Sequence, residues 1–175
     1  MPIGKEYEAV RCVFCMTGHE QQVADSINEG RAAKAIFPVQ IKRIRNRRTW
    51  QEVPVSLLPS YVFVYSDAEL RSADLAKVQN VIRVLRYGDD SEGVLCGSDR
   101  TFADLLWARG GKLGVLKAMR VGERVEIVDG LFKALRGRVV AMDKRKQVAK
   151  VELDIVGSLR NIWLSFDYLK EGQGE

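Results

Sequence analysis

Two cysteines near the start of the chain have a spacing that could do chemistry. Cys12 and Cys15 stand in the C-x2-C pattern of zinc ribbons and thioredoxin-like redox sites, and His19 or the distant Cys96 could add a ligand. Residues 11–15 are predicted to form a strand, where side chains three positions apart point to opposite faces, so both thiolates cannot reach one metal ion. A redox pair also needs its first cysteine at a helix N-terminus, which lowers the thiol pKa. We therefore predict no metal and no cofactor, and two small core residues instead.

The rest of the chain offers few groups for catalysis. It has one histidine, and no serine is accompanied by a second base with which to build a nucleophilic triad. The run Gly110, Gly111, Lys112 is not a phosphate-binding loop, because the Gly-x4-Gly-Lys-Ser/Thr spacing and the preceding strand are both missing. We predict that the protein is not an enzyme.

Basic residues are concentrated in two segments of a chain whose net charge is +5. Residues 31–48 hold seven basic residues and no acid, and residues 131–150 hold seven more against Asp143 alone. Such clusters either bind phosphates or keep a surface solvated. Both interpretations stay open for the first cluster, and we favour nucleic-acid binding for the second. The cations of the second cluster are Lys133, Arg136, Arg138, Lys144, Arg145, Lys146 and Lys150.

Length and composition limit the class of protein. A chain of 175 residues can form one domain or two small ones. No apolar run approaches the roughly 20 residues that span a bilayer, and the first residues lack the apolar core of a signal peptide. Three cysteines without a secretory signal fit a reducing compartment. We expect a cytoplasmic protein with no membrane contact.

The elements that must position these residues alternate between strand and helix in the first part of the chain. A strand from Tyr7 to Cys15 precedes a capping box of Thr17 and Glu20, which predicts a helix over about 19–29. A long basic hairpin follows over 35–55, turning at 46–48, and then a mostly apolar central strand over 58–65. Further on, the pattern predicts a short helix or loop, a strand over 81–87 and a third helix capped by Ser98.

The composition changes at a glycine-rich joint over 109–114, where a regular element would be costly. Beyond it the chain shows short β segments separated by turns and no helical periodicity, a pattern typical of a small barrel. The predicted organisation is therefore a first domain over 1–108, a flexible linker over 109–118 and a second domain over 119–175.

Two segments resemble the NusG family of transcription elongation factors. Residues 57–64 are similar to the Pro-x-Tyr-Val-x-Val strand of its N-terminal (NGN) domain, and residues 124–140 resemble a KOW motif, with an Asp-Gly turn, an aromatic residue and a second turn glycine. The resemblance implies an α+β chain: an NGN α/β sandwich with a four-stranded antiparallel sheet, followed by a small all-β SH3-like KOW barrel. It also implies a transcription factor that has no catalytic residues.

The family uses an apolar pocket of the NGN domain to bind the clamp helices of RNA polymerase. By motif position, the polymerase-binding residues implied here are Leu58, Pro59, Tyr61, Val84 and Leu85, although some of them must belong to the core. Ser60 departs from the glycine usual between the proline and the tyrosine, and a serine costs little there if the backbone is not left-handed. Ala134 likewise replaces a glycine of many KOW turns.

Within the family, the chain is most similar to the LoaP-type specialised paralogue, which prevents termination and binds an RNA hairpin through its KOW domain. The first helix lacks the basic residues with which the paralogue RfaH reads DNA. The partners implied are RNA polymerase, a nascent RNA hairpin, and upstream or non-template DNA at the basic hairpin from Lys42 to Arg48; the protein is expected to be a monomer. One alternative is a general NusG whose KOW domain binds Rho or the ribosome. Another is an unrelated ribosome-binding KOW protein.

Overall fold

The computed structural model describes residues 7–67, 69–87, 89–134 and 137–169. The chain folds into two compact units, one made of Met1–Val39 and Ser56–Lys112 and the other of Gln40–Val55 and Leu113–Glu175. The elements in chain order are β1 (Ala9–Cys15), α1 (Glu20–Glu29), β2 (Ala33–Ile36), β3 (Val39–Asn46), β4 (Thr49–Ser56), β5 (Tyr61–Ser66), α2 (Ser72–Leu75), β6 (Val81–Val84), α3 (Gly97–Ala108), β7 (Lys112–Leu113), β8 (Leu116–Val121), β9 (Arg124–Ile127), α4 (Gly130–Ala134), β10 (Arg138–Asp143), β11 (Val148–Ile155) and β12 (Ser158–Tyr168).

The first unit is built on a four-stranded antiparallel sheet with the strand order β2-β5-β1-β6. Its two central strands consist almost entirely of buried residues, because helices cover both faces of the sheet. On one face, Val13 and Val64 pack against Val23 and Ile27 of α1. On the other, the Tyr65 hydroxyl donates to the Ala103 carbonyl of α3 at 2.6 Å.

The second unit contains a five-stranded sheet in the order β10-β11-β12-β8-β9, in which β12 and β8 run parallel and the other pairs antiparallel. Alternate residues of β11 point inward, among them Val151, Leu153 and Ile155. At the turn before β10, a Cβ on Gly137 would lie 2.6 Å from the Phe132 ring, so this position accepts only glycine without a shift. The hairpin of β3 and β4 belongs to the same unit.

These elements confirm the predicted α+β class, with a four-stranded antiparallel sheet first and a small β-barrel second. Among the described residues, no helix is both long and apolar enough to cross a membrane. Not all of the β segments beyond the joint are short, since β12 has 11 residues, and one five-residue helix, α4, was not predicted.

Two predicted helix caps are wrong. The residue that precedes α1 is His19, and its side chain makes no capping bond. The predicted cap, Thr17, is hydrogen-bonded to Ser60 instead. The residue that precedes α3 is Cys96, so Ser98 lies inside the helix.

The glycine-rich joint contains regular structure. Strand β7 and the start of β8 fall inside the predicted linker, and Leu113 and Leu116 are buried. The structure also groups the basic hairpin with the second unit, whereas the sequence placed it in the first domain. The domain limits at 108 and 119, and the flexibility of the segment between them, stay predictions.

Candidate functional site

Ser60 fixes the backbone just before the central strand β5. It has a φ of +75°, which is the left-handed conformation that glycine adopts freely and serine does not. Its buried N–H donates to Glu20 Oε1 at 2.6 Å, and its hydroxyl is hydrogen-bonded to that of Thr17, also at 2.6 Å. Its carbonyl accepts the N–H of Cys15 at 2.8 Å. These contacts set the position of the next residue, Tyr61.

Tyr61 belongs to a half-exposed aromatic cluster at one end of the sheet, which we call the aromatic face. The Tyr61 ring lies 5.2 Å from the ring of Phe14, its register partner on β1. The guanidinium of Arg83, the partner of Phe14 on β6, lies 5.5 Å from the same Phe14 ring. Nearby in the chain, Met16 is 50% exposed. The arrangement offers a partner an apolar surface with one fixed cation.

The predicted polymerase-binding residues fall into two groups. Leu58 and Val84 are buried, and Val84 packs in the core beneath α1. Pro59 is exposed, while Tyr61 and Leu85 are half-buried and can still be touched by a partner. Phe14 and Arg83 were not predicted, although the alternation of β1 places Phe14 on one face with Cys12. The binding role of all five predicted residues stays a prediction.

The predicted nucleic-acid site centres on the turn that joins β10 and β11. This basic turn carries Lys144, Arg145 and Lys146, and all three are exposed. The Lys146 N–H donates to Asp143 Oδ1 at 2.9 Å, which closes the turn, and Lys144 Nζ donates to the Glu123 carbonyl at 2.8 Å. Three adjacent cations on a short, pinned turn suit the phosphates of a nucleic acid.

The other predicted cations are less uniform. Arg138 is paired with Glu152 across the strands at 2.7 Å, so part of its charge is already compensated. Lys150 is half-buried and faces Trp163 in the register of β11 and β12. Lys133 is exposed on α4. Arg136 lies outside the described residues, so the structure says nothing of its contacts.

Cys12 and Cys15 occupy core positions, whereas Cys96 is exposed. Cys15 packs with Val13 on the α1 side of the sheet, and by alternation Cys12 lies on the opposite side. Burial raises the pKa of the Cys15 thiol, and the nearby Glu20 carboxylate raises it further. All three cysteines are free, and the described residues contain no group of three or more His, Cys, Asp or Glu placed to hold a metal.

Comparison with known proteins agrees with this geometry. The sequence model of the NusG family, described as transcription termination factor nusG, matches residues 11–99, which include most of the four-stranded sheet, α1, α2 and the hairpin. The chain belongs to the NusG family. Proteins of the family are transcription factors and not enzymes. The match covers β5 with Tyr61, the part of β1 with Phe14, and β6 with Arg83.

A solved structure extends the likeness to the second unit of this NusG-family chain. The structure titled "Domain interaction in Thermotoga maritima NusG" is similar with a TM-score of 0.51 and 21% sequence identity, covering 90% of this chain and 93% of that chain. At this identity the match shows the fold alone. A comparison with curated proteins gives no match.

Proposed function

We propose that the protein is a NusG-family factor that binds RNA polymerase through its first unit and promotes processive antitermination, with recognition of nascent RNA by its barrel. The single observation that carries polymerase binding is the contact of Tyr61 with Phe14 at the open end of the sheet, in the matched family region. Half-exposed aromatic residues dominate the energetics of protein interfaces. We further propose that the protein is monomeric and acts in the cytoplasm.

Polymerase binding rests on the part of the aromatic face that a partner can reach. Pro59, Tyr61 and Leu85 are retained from the residues implied by the family, and Phe14 and Arg83 are added. Leu58 and Val84 are buried, so their side chains are not offered to a partner. The surface suits the apolar ridge of a helical coiled coil, and the Arg83 guanidinium suits a carboxylate on the flank of that ridge.

Polymerase binding can be tested by pull-down with purified RNA polymerase. Tyr61→Asp places a charge in the contact and should abolish binding. Arg83→Glu, whose side chain is exposed, should weaken it at little cost to folding. Trp163→Asp is the control, since this exposed tryptophan belongs to the second unit. If both first-unit variants are folded by circular dichroism and bind like the wild type, the polymerase-binding proposal is wrong.

RNA recognition rests on the basic turn. Lys144, Arg145 and Lys146 are exposed together, and a structured RNA is bound mainly through its phosphates and its shape. Replacing all three by Ala should weaken RNA binding and reduce the salt slope by about 0.7–0.9 per lost phosphate contact. The control replaces Lys34, Lys77 and Arg86 by Ala, which removes the same charge from exposed positions of the first unit. If the two triple variants bind RNA with equal affinity, the basic turn is not part of the RNA-binding site.

A second candidate function is that of a general NusG, whose barrel binds Rho or the ribosome. It is favoured by two exposed apolar residues of β12, Leu159 and Trp163, which are 63% and 43% exposed. An apolar patch of this kind is typical of a protein interface. Capture of Rho or ribosomes by the full chain, without affinity for RNA, would support this function over the LoaP-type one.

A further inference from the structure

Arg43 connects the basic hairpin of β3 and β4 to the strand β12 of the barrel. Its backbone N–H donates to the buried Ser165 hydroxyl at 3.1 Å, and its guanidinium is paired with Asp167 Oδ1 at 3.0 Å. The guanidinium also lies 4.9 Å from the centre of the Trp50 ring on the second strand of the hairpin. Only 16% of the Arg43 side chain is exposed, so these interactions are partly desolvated and stronger than surface contacts.

The same guanidinium reaches the basic turn. Arg43 Nη1 donates to Gln147 Oε1 at 3.3 Å, and Gln147 directly follows Lys146 in the chain. Gln147 is itself held in place, since its carbonyl accepts the Phe166 N–H of β12 at 2.9 Å. One arginine therefore fixes the hairpin and the basic turn to the same strand, and so to each other.

The hairpin brings its own cations to this arrangement. Arg45 lies on the same face of β3 as Arg43, about 7 Å further along at roughly 3.3 Å per residue. Arg47 and Arg48 form the tip, and all three are exposed. Within the part of the chain that the structure describes, none of these three forms an ion pair, so their charge is available to a ligand.

We propose that the hairpin and the basic turn form one composite site for the phosphates of a structured RNA, with Arg43 as the residue that positions the two halves. The inference rests on the proposed RNA binding of the barrel and adds a second element to it. Two basic elements held side by side can contact both phosphate strands that border a groove of an A-form stem. A turn alone contacts one strand.

The test uses the full chain and an RNA stem-loop of arbitrary sequence with a stem of about 16 base pairs, a length that double-stranded-RNA domains span. Replacing Arg45, Arg47 and Arg48 by Ala should weaken binding and lower the salt slope by about 2 to 3 if each arginine contacts one phosphate. Unchanged affinity and slope would overturn the composite site. The proposed function would then still be decided by the triple variant of the basic turn.

Asp167→Ala tests the positioning role of Arg43. The substitution removes a negative charge, so simple electrostatics predicts tighter RNA binding, whereas release of the hairpin predicts several-fold weaker binding. Asp154→Ala, an exposed acid of the same barrel, is the matched control and should bind at least as tightly as the wild type. Thermal unfolding checks that both variants are folded. Tighter RNA binding by Asp167→Ala would overturn the positioning role of Arg43. A DNA duplex of equal length that competes equally with the RNA for the protein would overturn the assignment of the composite site to RNA.

Discussion

The backbone N–H of Ser60 donates to the carboxylate of Glu20 at 2.6 Å, in a part of the first unit where both residues are buried. This hydrogen bond joins the first turn of α1 to the segment that leads into β5, and so to Tyr61 on the aromatic face. The sequence suggested a helix cap for Glu20. In the structure the carboxylate instead supports the backbone on which the proposed polymerase contact depends.

Glu20→Ala should lower the free energy of unfolding by about 1.5–3 kcal/mol, because it leaves the buried Ser60 N–H without an acceptor. Glu20→Gln should cost less, since its amide oxygen can still accept. The free energies can be measured by urea denaturation with Glu29→Ala as the control, because Glu29 is an exposed carboxylate of the same helix. Equal losses for Glu20→Ala and Glu29→Ala would show that the hydrogen bond adds no stability.

Ser60→Gly should be more stable than Ser60→Ala by about 1 kcal/mol, because an L-residue in the left-handed region is strained by roughly 1–2 kcal/mol. Both variants lose the hydroxyl bond to Thr17, so their difference isolates the backbone strain. Thermal unfolding of the two proteins measures it. An alanine variant as stable as the glycine variant would mean that the backbone relaxes away from φ +75°.

Much of the first unit could be predicted from sequence because each element carries its own signal. The strand-forming residues of β1 and the helical spacing of Val23 and Ile27 are local patterns, and the structure confirms a strand and a helix there. The left-handed angle of Ser60 could not be predicted, because serine gives no local signal for it. The strain is offset by contacts with Thr17 and Glu20, which are 43 and 40 residues away in sequence.

Gly111→Ala should destabilise the protein, whereas Gly114→Ala should leave it nearly unchanged. Gly111 has a φ of +83°, and a Cβ there would lie 2.4 Å from Ile36 Cγ2. A Cβ at Gly114 would meet nothing within 4 Å. The expected loss at Gly111 is at least about 1 kcal/mol from the backbone alone, measurable by urea denaturation. Equal stability of the two variants would support the predicted flexible linker in this segment.

Cys96 should react with a thiol reagent at neutral pH well before Cys12 and Cys15, because it is the exposed cysteine. The raised pKa of Cys15 favours its thiol form in the folded protein. As the pH rises above the unfolded value of about 8.5, the unfolded chain loses a proton that the folded chain keeps, so stability should fall. Reagent titration with mass spectrometry assigns the order, and rapid labelling of Cys15 would contradict its burial.

The candidate surfaces were less predictable than the fold. The second basic cluster was predicted from charge, and the structure places Lys144, Arg145 and Lys146 of that cluster on one exposed turn. Leu58 could not be separated from the surface residues, because an apolar strand with two buried faces has no alternation to show which side is open. The bond of Arg43 with Gln147 joins residues 104 apart in sequence, and only the folded chain shows it.

Single-round transcription by purified RNA polymerase through an intrinsic terminator tests the central claim most directly. With a sequence that encodes an RNA hairpin bound by the barrel placed upstream of the terminator, the wild-type protein should increase read-through, because it stays bound to the polymerase. Tyr61→Asp should remove the effect through loss of polymerase binding, and the triple alanine variant of the basic turn should reduce it through loss of RNA binding. Read-through that is unchanged by the wild-type protein, or that Tyr61→Asp increases equally, would contradict the account.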